Sequence, residues 1–145
     1  MVVFLDMDGV MIPAKSWKQP EILHDGFPAF SPKAVTALNS IIQEDTRIIL
    51  TTSHRHRFTI SQWKNIFKLR CIEVNQIDRL SENRNFLNRK EEILDYFNTQ
   101  PTIIDYLIID DDKSLNDLPH SIKQHVIQPS ATVGLIPDLI TKPVL

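Results

Sequence analysis

Val2-Val3-Phe4-Leu5 is an unbroken run of β-forming apolar residues that stops dead at Asp6-Met7-Asp8-Gly9. A run without polar alternation is a strand buried on both faces, which requires a parallel sheet with helices packed on each side. The pattern recurs. Ile48-Ile49-Leu50 runs into Thr51-Thr52-Ser53-His54-Arg55, and the Ile103–Ile109 segment, strongest at Leu107-Ile108-Ile109, runs into Asp110-Asp111-Asp112. In a parallel sheet the strand C-termini emerge at one edge, so clusters that follow separate strands meet in space.

Between the strands the chain reads as helices. Ser31-Pro32 places a capping residue before a proline at the first helical position, and Val35, Leu38, Ile41 and Ile42 then share one face up to about Glu44. Thr59 with Gln62 forms a capping box ahead of Trp63, Ile66 and Phe67, and Asn88 with Glu91 caps a helix through Ile93, Leu94 and Phe97 that stops before Pro101. Cys71 to Val74 is read as a short third strand, residues 75–87 as a polar connection, and Val126-Ile127 as a last strand. Ser114 is read as the cap of a short turn before Pro119. Alternating strands and helices imply right-handed crossovers and an α/β, Rossmann-like domain with helices on both faces of a parallel sheet.

At 145 residues and 42% hydrophobic, the chain suits one domain spanning 1–145 with a single core. A net charge of -2 exerts no general pull toward nucleic acid or anionic membrane. The lone Cys71 fits a reducing, cytoplasmic setting, and the first apolar run is too short to span a membrane. Residues 11–30, broken by Pro13, Pro20, Gly26 and Pro28, form a long loop of the kind that moves or binds. Within it Trp17, Phe27 and Phe30 are read as packing the loop onto the domain rather than as an aromatic platform, and Trp63 and Phe67 as core.

The sheet edge thus gathers Asp6 and Asp8, Thr52 and Ser53, Asp110 and Asp111, with Arg89-Lys90 at the start of the helix leading to the last cluster. Crowded carboxylates repel unless a cation joins them, and an all-oxygen donor set suits Mg²⁺. A divalent ion, a basic side chain and hydroxyls around a free carboxylate are the parts of phosphoryl transfer. His54 and Arg55 follow the hydroxyl pair closely enough to touch substrate, whereas Arg57 is read as solvated. His54 and His56 lack the further histidine or cysteine that a transition-metal site needs.

Phe4-Leu5-Asp6-Met7-Asp8-Gly9-Val10 resembles the first motif of the haloacid dehalogenase (HAD) superfamily, whose phosphatases carry Asp-x-Asp after the first strand. Thr52 or Ser53 resembles its second motif, Arg89 or Lys90 its third, and Asp110-Asp111 its acidic fourth. The Gly134-Leu135-Ile136 segment is similar to a small capless branch related to RNA-repair phosphatase domains. The resemblance implies a phosphomonoesterase in which Asp6 becomes an aspartyl phosphate and Asp8 moves the proton. It further implies that Asp6, the Asp8 main-chain carbonyl and Asp110 or Asp111 hold Mg²⁺, Thr52 or Ser53 binds the phosphoryl oxygens, and Arg89 or Lys90 offsets the pentavalent charge.

Members of that superfamily usually insert a cap between the first and second motifs or between the second and third. Residues 11–46 hold one loop and one helix and residues 56–88 little more, so no substantial cap is expected. An open site admits a bulky phosphorylated substrate or borrows a lid from a partner subunit. Three functions stay open: a phosphatase on a small metabolite or nucleotide, an end-processing phosphatase on RNA or DNA, and a non-catalytic phosphate-binding scaffold. For the second, Lys64, Lys68 and Arg70 with residues 54–57 offer a strip for a phosphate backbone. Retention of both Asp6 and Asp8 argues against the third.

Overall fold

The computed structural model describes residues 1–14, 19–100 and 103–141. Among the described residues five strands form one sheet in the order β3-β2-β1-β4-β5, every neighbouring pair parallel. They are β1 Val2–Leu5, β2 Arg47–Leu50, β3 Gln76–Arg79, β4 Tyr106–Ile109 and β5 Val126–Ile127. The first crossovers carry helices α1 Pro32–Asn39, α2 Ile60–Leu69 and α3 Arg89–Thr99. A 3₁₀ turn at Lys113–Asp117, then α4 His120–Lys123 and α5 Pro137–Thr141, complete the chain.

Strand alternation divides the core. Val3, Leu5, Ile48, Leu50 and Ile109 face one layer with Ala34, Ala37 and Leu38 of α1 and Trp63, Ile66 and Phe67 of α2. Phe4, Ile49 and Ile108 face the other, against Ile93 of α3 and Leu115 of the 3₁₀ turn. Helices thus cover both faces, as the unbroken apolar runs demand, and no cap domain is inserted among the described residues. No described helix is long and apolar enough to cross a membrane.

Several local expectations need correction. Cys71–Val74 is not a strand but the exit of α2: Cys71 takes φ +65°, its N–H bonds Lys68 O, and the Ile72 N–H bonds Phe67 O. That is a Schellman ending in which buried Ile72 packs with Phe67, so a β-rich string closes a helix. The true third strand, Gln76–Arg79, buries only Ile77 fully and lies at the sheet edge. Ser31 precedes α1 without a side-chain cap bond, and α1 ends at Asn39, where Ser40 Oγ turns back to Ala37 O. Ser114 caps nothing of its own: Asp112 caps the 3₁₀ turn, while Ser114 Oγ accepts the Lys90 N–H at the start of α3. The fourth strand starts at Tyr106 rather than Ile103. The capping boxes Thr59/Gln62 and Asn88/Glu91 form as expected.

Phe27 and Phe30 are buried and pack edge-on against Trp63 and Phe67 respectively, while Trp17 lies outside the described residues. Their loop is held by Arg70, whose guanidinium ion-pairs with Asp25 and donates to the Phe27, Pro28 and Ile66 carbonyls.

Candidate active site

In-register pairing places the site. Leu5 lies level with Leu50 on one side and Ile109 on the other, so the next residues, Asp6, Thr51 and Asp110, stand abreast at the sheet edge. The ladder extends into them through Asp6 N–H to Ile109 O and Thr51 N–H to Leu5 O. Because Leu5 points to the α1–α2 layer, alternation turns residue 6 toward α3, where Arg89 sits in the first turn.

Oxygens of Asp6, Asp110 and Asp111 lie within 4.8 Å of one another. Asp110 is fully buried and accepts from Thr51 Oγ1 at 3.1 Å, from the Asp112 N–H at 3.1 Å and from Arg89 Nη1. Arg89 Nη1 also stands 3.8 Å from Asp6 and donates to Thr51 Oγ1, while its Nε faces Glu92 at 3.5 Å. Glu92 in turn holds Arg55. Arg89 is therefore hydrogen-bonded ahead, to Asp110 and Thr51, and paired behind with Glu92 by charge alone, its buried Nε making no hydrogen bond.

The electrostatics show what the cluster needs. Burial pushes the Asp6 carboxyl from its ordinary 3.8 up to about 9, with the Asp110 charge adding to the rise and Arg89 opposing it. Asp111 is also raised, first by burial and then by Asp110, against a hydrogen bond with Asp6. Burial pulls Arg89 down, but Asp110 and Asp6 overcome it and the net shift is upward. One guanidinium does not balance three carboxyls, and an oxygen-only donor set of this size fits a hard divalent ion. Gly9 makes the close approach possible. Its φ is +79°, and a Cβ there would come within 2.2 Å of Asp111 Oδ2.

Asp8, two residues from Asp6, has a different environment. Its side chain is 64% exposed and lies 2.9 Å from His54 Nε2, whose ring packs edge-on against Phe27. Of the hydroxyls, Ser53 is exposed and lines a cleft of about 380 Å³ with Arg89. Thr52 is buried and accepts the His54 N–H, which leaves its own proton to donate.

The remaining expected residues are placed differently. Arg55 is 4% exposed, and its donors are spent on the Leu80, Ser81, Thr51 and Thr52 carbonyls and on Glu92, so it braces the loop after β2 while lining the cleft with Ser53 and Arg89. Lys90, the neighbour of Arg89, is tied to Ser114 through its backbone N–H, and it is Arg89 that reaches the carboxylates. Arg70 drops out of the basic strip because it is buried against Asp25, while Lys64 and Lys68 remain exposed on α2. Asp112 stays outside the carboxylate cluster: its side chain accepts the Ser114 N–H, and the residue lines the cleft beside Arg89. Sequence reasoning passed over Thr51 and Glu92. The signal for Thr51 was its place one residue past Leu50, level with Asp6; for Glu92 it was the (i, i+3) spacing from Arg89 on one helix.

Residues 2–139 match the family model described as the HAD domain in Swiss Army Knife RNA repair proteins. No curated protein and no solved structure matches the chain.

Proposed function

The chain belongs to the HAD domains of Swiss Army Knife RNA repair proteins, and from that membership we propose that it is a Mg²⁺-dependent phosphomonoesterase acting on a phosphorylated nucleic-acid end, with residues 1–145 working as one domain. The observation that carries this reading is the contrast between two carboxyls two residues apart. Asp6 is buried among carboxylates and Arg89, while Asp8 stands in the open against His54. Asp6 belongs to the cation-binding cluster, where a bound ion and Arg89 would hold it as the attacking carboxylate, and Asp8, outside that cluster, is free to carry the proton.

In the proposed reaction Asp6 bonds to phosphorus as the bond to the leaving oxygen breaks, and Asp8 gives that oxygen its proton. Asp8, now ionised, takes a proton from water as the water oxygen attacks the aspartyl phosphate, which releases inorganic phosphate and restores the Asp6 carboxylate. Asp6, Asp110, Asp111 and the Asp8 carbonyl would hold Mg²⁺. When bound, the ion supplies the positive charge that keeps Asp6 ionised and polarises a phosphoryl oxygen. Ser53 and Thr52 hydrogen-bond the phosphoryl oxygens, and Arg89 offsets the charge that builds on them. His54 orients Asp8. The lack of a cap leaves room for a polymer end, and the family's place in RNA repair supports that substrate over a small metabolite.

The test is phosphate release from p-nitrophenyl phosphate and from oligonucleotides phosphorylated at the 5′ or 3′ end, with and without Mg²⁺, in wild type and Asp6→Asn. Metal-dependent release by the wild type alone is expected. Equal release by both proteins would remove Asp6 from the chemistry, and release from the aryl phosphate but no oligonucleotide would return the substrate to small molecules.

A further inference from the structure

The loop between β3 and α3 carries Phe86 with 93% of its surface exposed and φ at +54°. A bulky side chain in the left-handed region is strained, and a ring held in water contributes nothing to the core. Yet the loop is firmly built. Asn83 clasps Leu87 in both directions, accepting its N–H at 2.8 Å and donating to its carbonyl at 2.7 Å, so the ring is displayed by a fixed turn.

Arg89 follows three residues later. Three Cα steps place the two Cα atoms within about 11 Å of each other, within reach of a terminal phosphate and the base on the same nucleotide. The cleft of about 380 Å³ that Arg89 and Ser53 line is also lined by Asn83, Leu87 and Asn88. It adjoins a larger one of about 610 Å³ that takes in Arg84 and Asn85, with Asn83 and Leu87 common to both. Phe86 follows Asn85 and precedes Leu87, which line this trough, while its own ring lies outside it in solvent.

Its setting says what it meets. The other exposed large apolar side chains among the described residues, Ile22, Leu69, Ile104 and Val133, lie elsewhere in the chain. A protein interface needs contiguous apolar surface at its centre. A solitary ring among asparagines and an arginine instead suits a flat heteroaromatic group with polar edges, and every base offers a face to stack on.

We propose that Phe86 is a stacking platform for the base of the nucleotide that bears the terminal phosphate, and that it selects nucleic-acid ends over small phosphate esters. The proposal rests on the nucleic-acid reading above and goes beyond it by assigning the element that recognises the substrate.

Fluorescence anisotropy with the full chain separates the two. The probes are short single-stranded oligonucleotides with a terminal phosphate, and matched ones whose terminal nucleotide is abasic. Wild type should prefer the base-bearing end by about five-fold or more in Kd, the low end of base–aromatic stacking, with Phe86→Ala losing most of that preference and Phe86→Trp keeping it. Binding of both oligonucleotides with a preference unchanged in Phe86→Ala would overturn the platform and leave the nucleic-acid reading standing. No binding of either by the wild type, alongside hydrolysis of glycerol phosphate, would overturn both.

Discussion

Asp6 and Asp8 are the same residue type two positions apart, and only their surroundings separate them. Asp6 carries a linkage signature. Its carboxyl is raised from 3.8 to about 9 in the folded chain, so the folded state holds a proton that the unfolded state has lost throughout that window. The stabilisation is complete below 3.8 and disappears as pH rises through about 9. Thermal melts in EDTA should therefore show stability falling from pH 5 toward pH 9, and Asp6→Asn should flatten the slope. Saturating Mg²⁺ should do the same, because an ion-bound carboxylate no longer needs the proton. A slope identical in wild type and Asp6→Asn would place the burden on other groups. Gly9 is the second residue whose identity matters. A Cβ at φ +79° meets the Asp111 carboxylate, whose flexible end gives way before the backbone does. Gly9→Ala should cost ~1–2 kcal/mol in urea unfolding and raise the Mg²⁺ concentration needed for half-maximal activity.

Helix α3 serves the site through its first turn. Asn88 and Glu91 close its capping box, Ser114 holds the Lys90 N–H, and Glu92 holds Arg89 from behind. Glu92→Gln keeps the shape and removes the charge, leaving Arg55 and Arg89 to share a neutral partner. The expected result is a fall in kcat with KM for p-nitrophenyl phosphate little changed, and recovery in Glu92→Asp only in part; an unaltered kcat would show that Asp110 alone positions the arginine. Helix α2 ends on Arg70, which ties the 25–28 turn to the domain. Its guanidinium lowers the Asp25 carboxyl, so this contact contributes stability above the ordinary carboxylate pKa and loses it as pH falls below 3.8. Arg70→Met should cost about 2–3 kcal/mol at neutral pH, less than a fully buried pair because Asp25 is partly exposed, with the loss shrinking at pH 3.

At the scale of the whole molecule, the carboxylate cluster exists because β1 lies between β2 and β4 in register. Folding therefore brings like charges together, and a divalent ion should act as a folding ligand as well as a cofactor. Mg²⁺ should raise the melting temperature, whereas Asp111→Asn should raise it without the ion and blunt the response to it, since removing one charge relieves repulsion and deletes a ligand. An undiminished Mg²⁺ response in that variant would move the ion elsewhere.

Much of this was legible in the chain. Unbroken apolar runs ending in Asp6, Thr51 and Asp110 imply a doubly covered parallel sheet whose strand ends share one edge, because full burial of a strand and the placement of polar residues beyond it leave few other arrangements. The capping boxes were equally plain, being contacts between residues three apart. What lay beyond the one-dimensional pattern depended on neighbours distant in sequence. Cys71 closes a helix without the glycine that marks such endings, so Cys71–Val74 looked like a strand while the polar edge strand Gln76–Arg79 went unseen. The choice of Arg89 over Lys90 for the carboxylates and the burial of Arg55 and Arg70 follow from which helix face meets the sheet and which carbonyls lie nearby. Chain order states which chemical groups reach the sheet edge; strand register and helix rotation decide which of them touch, because a contact energy depends on distances that only the packed fold sets.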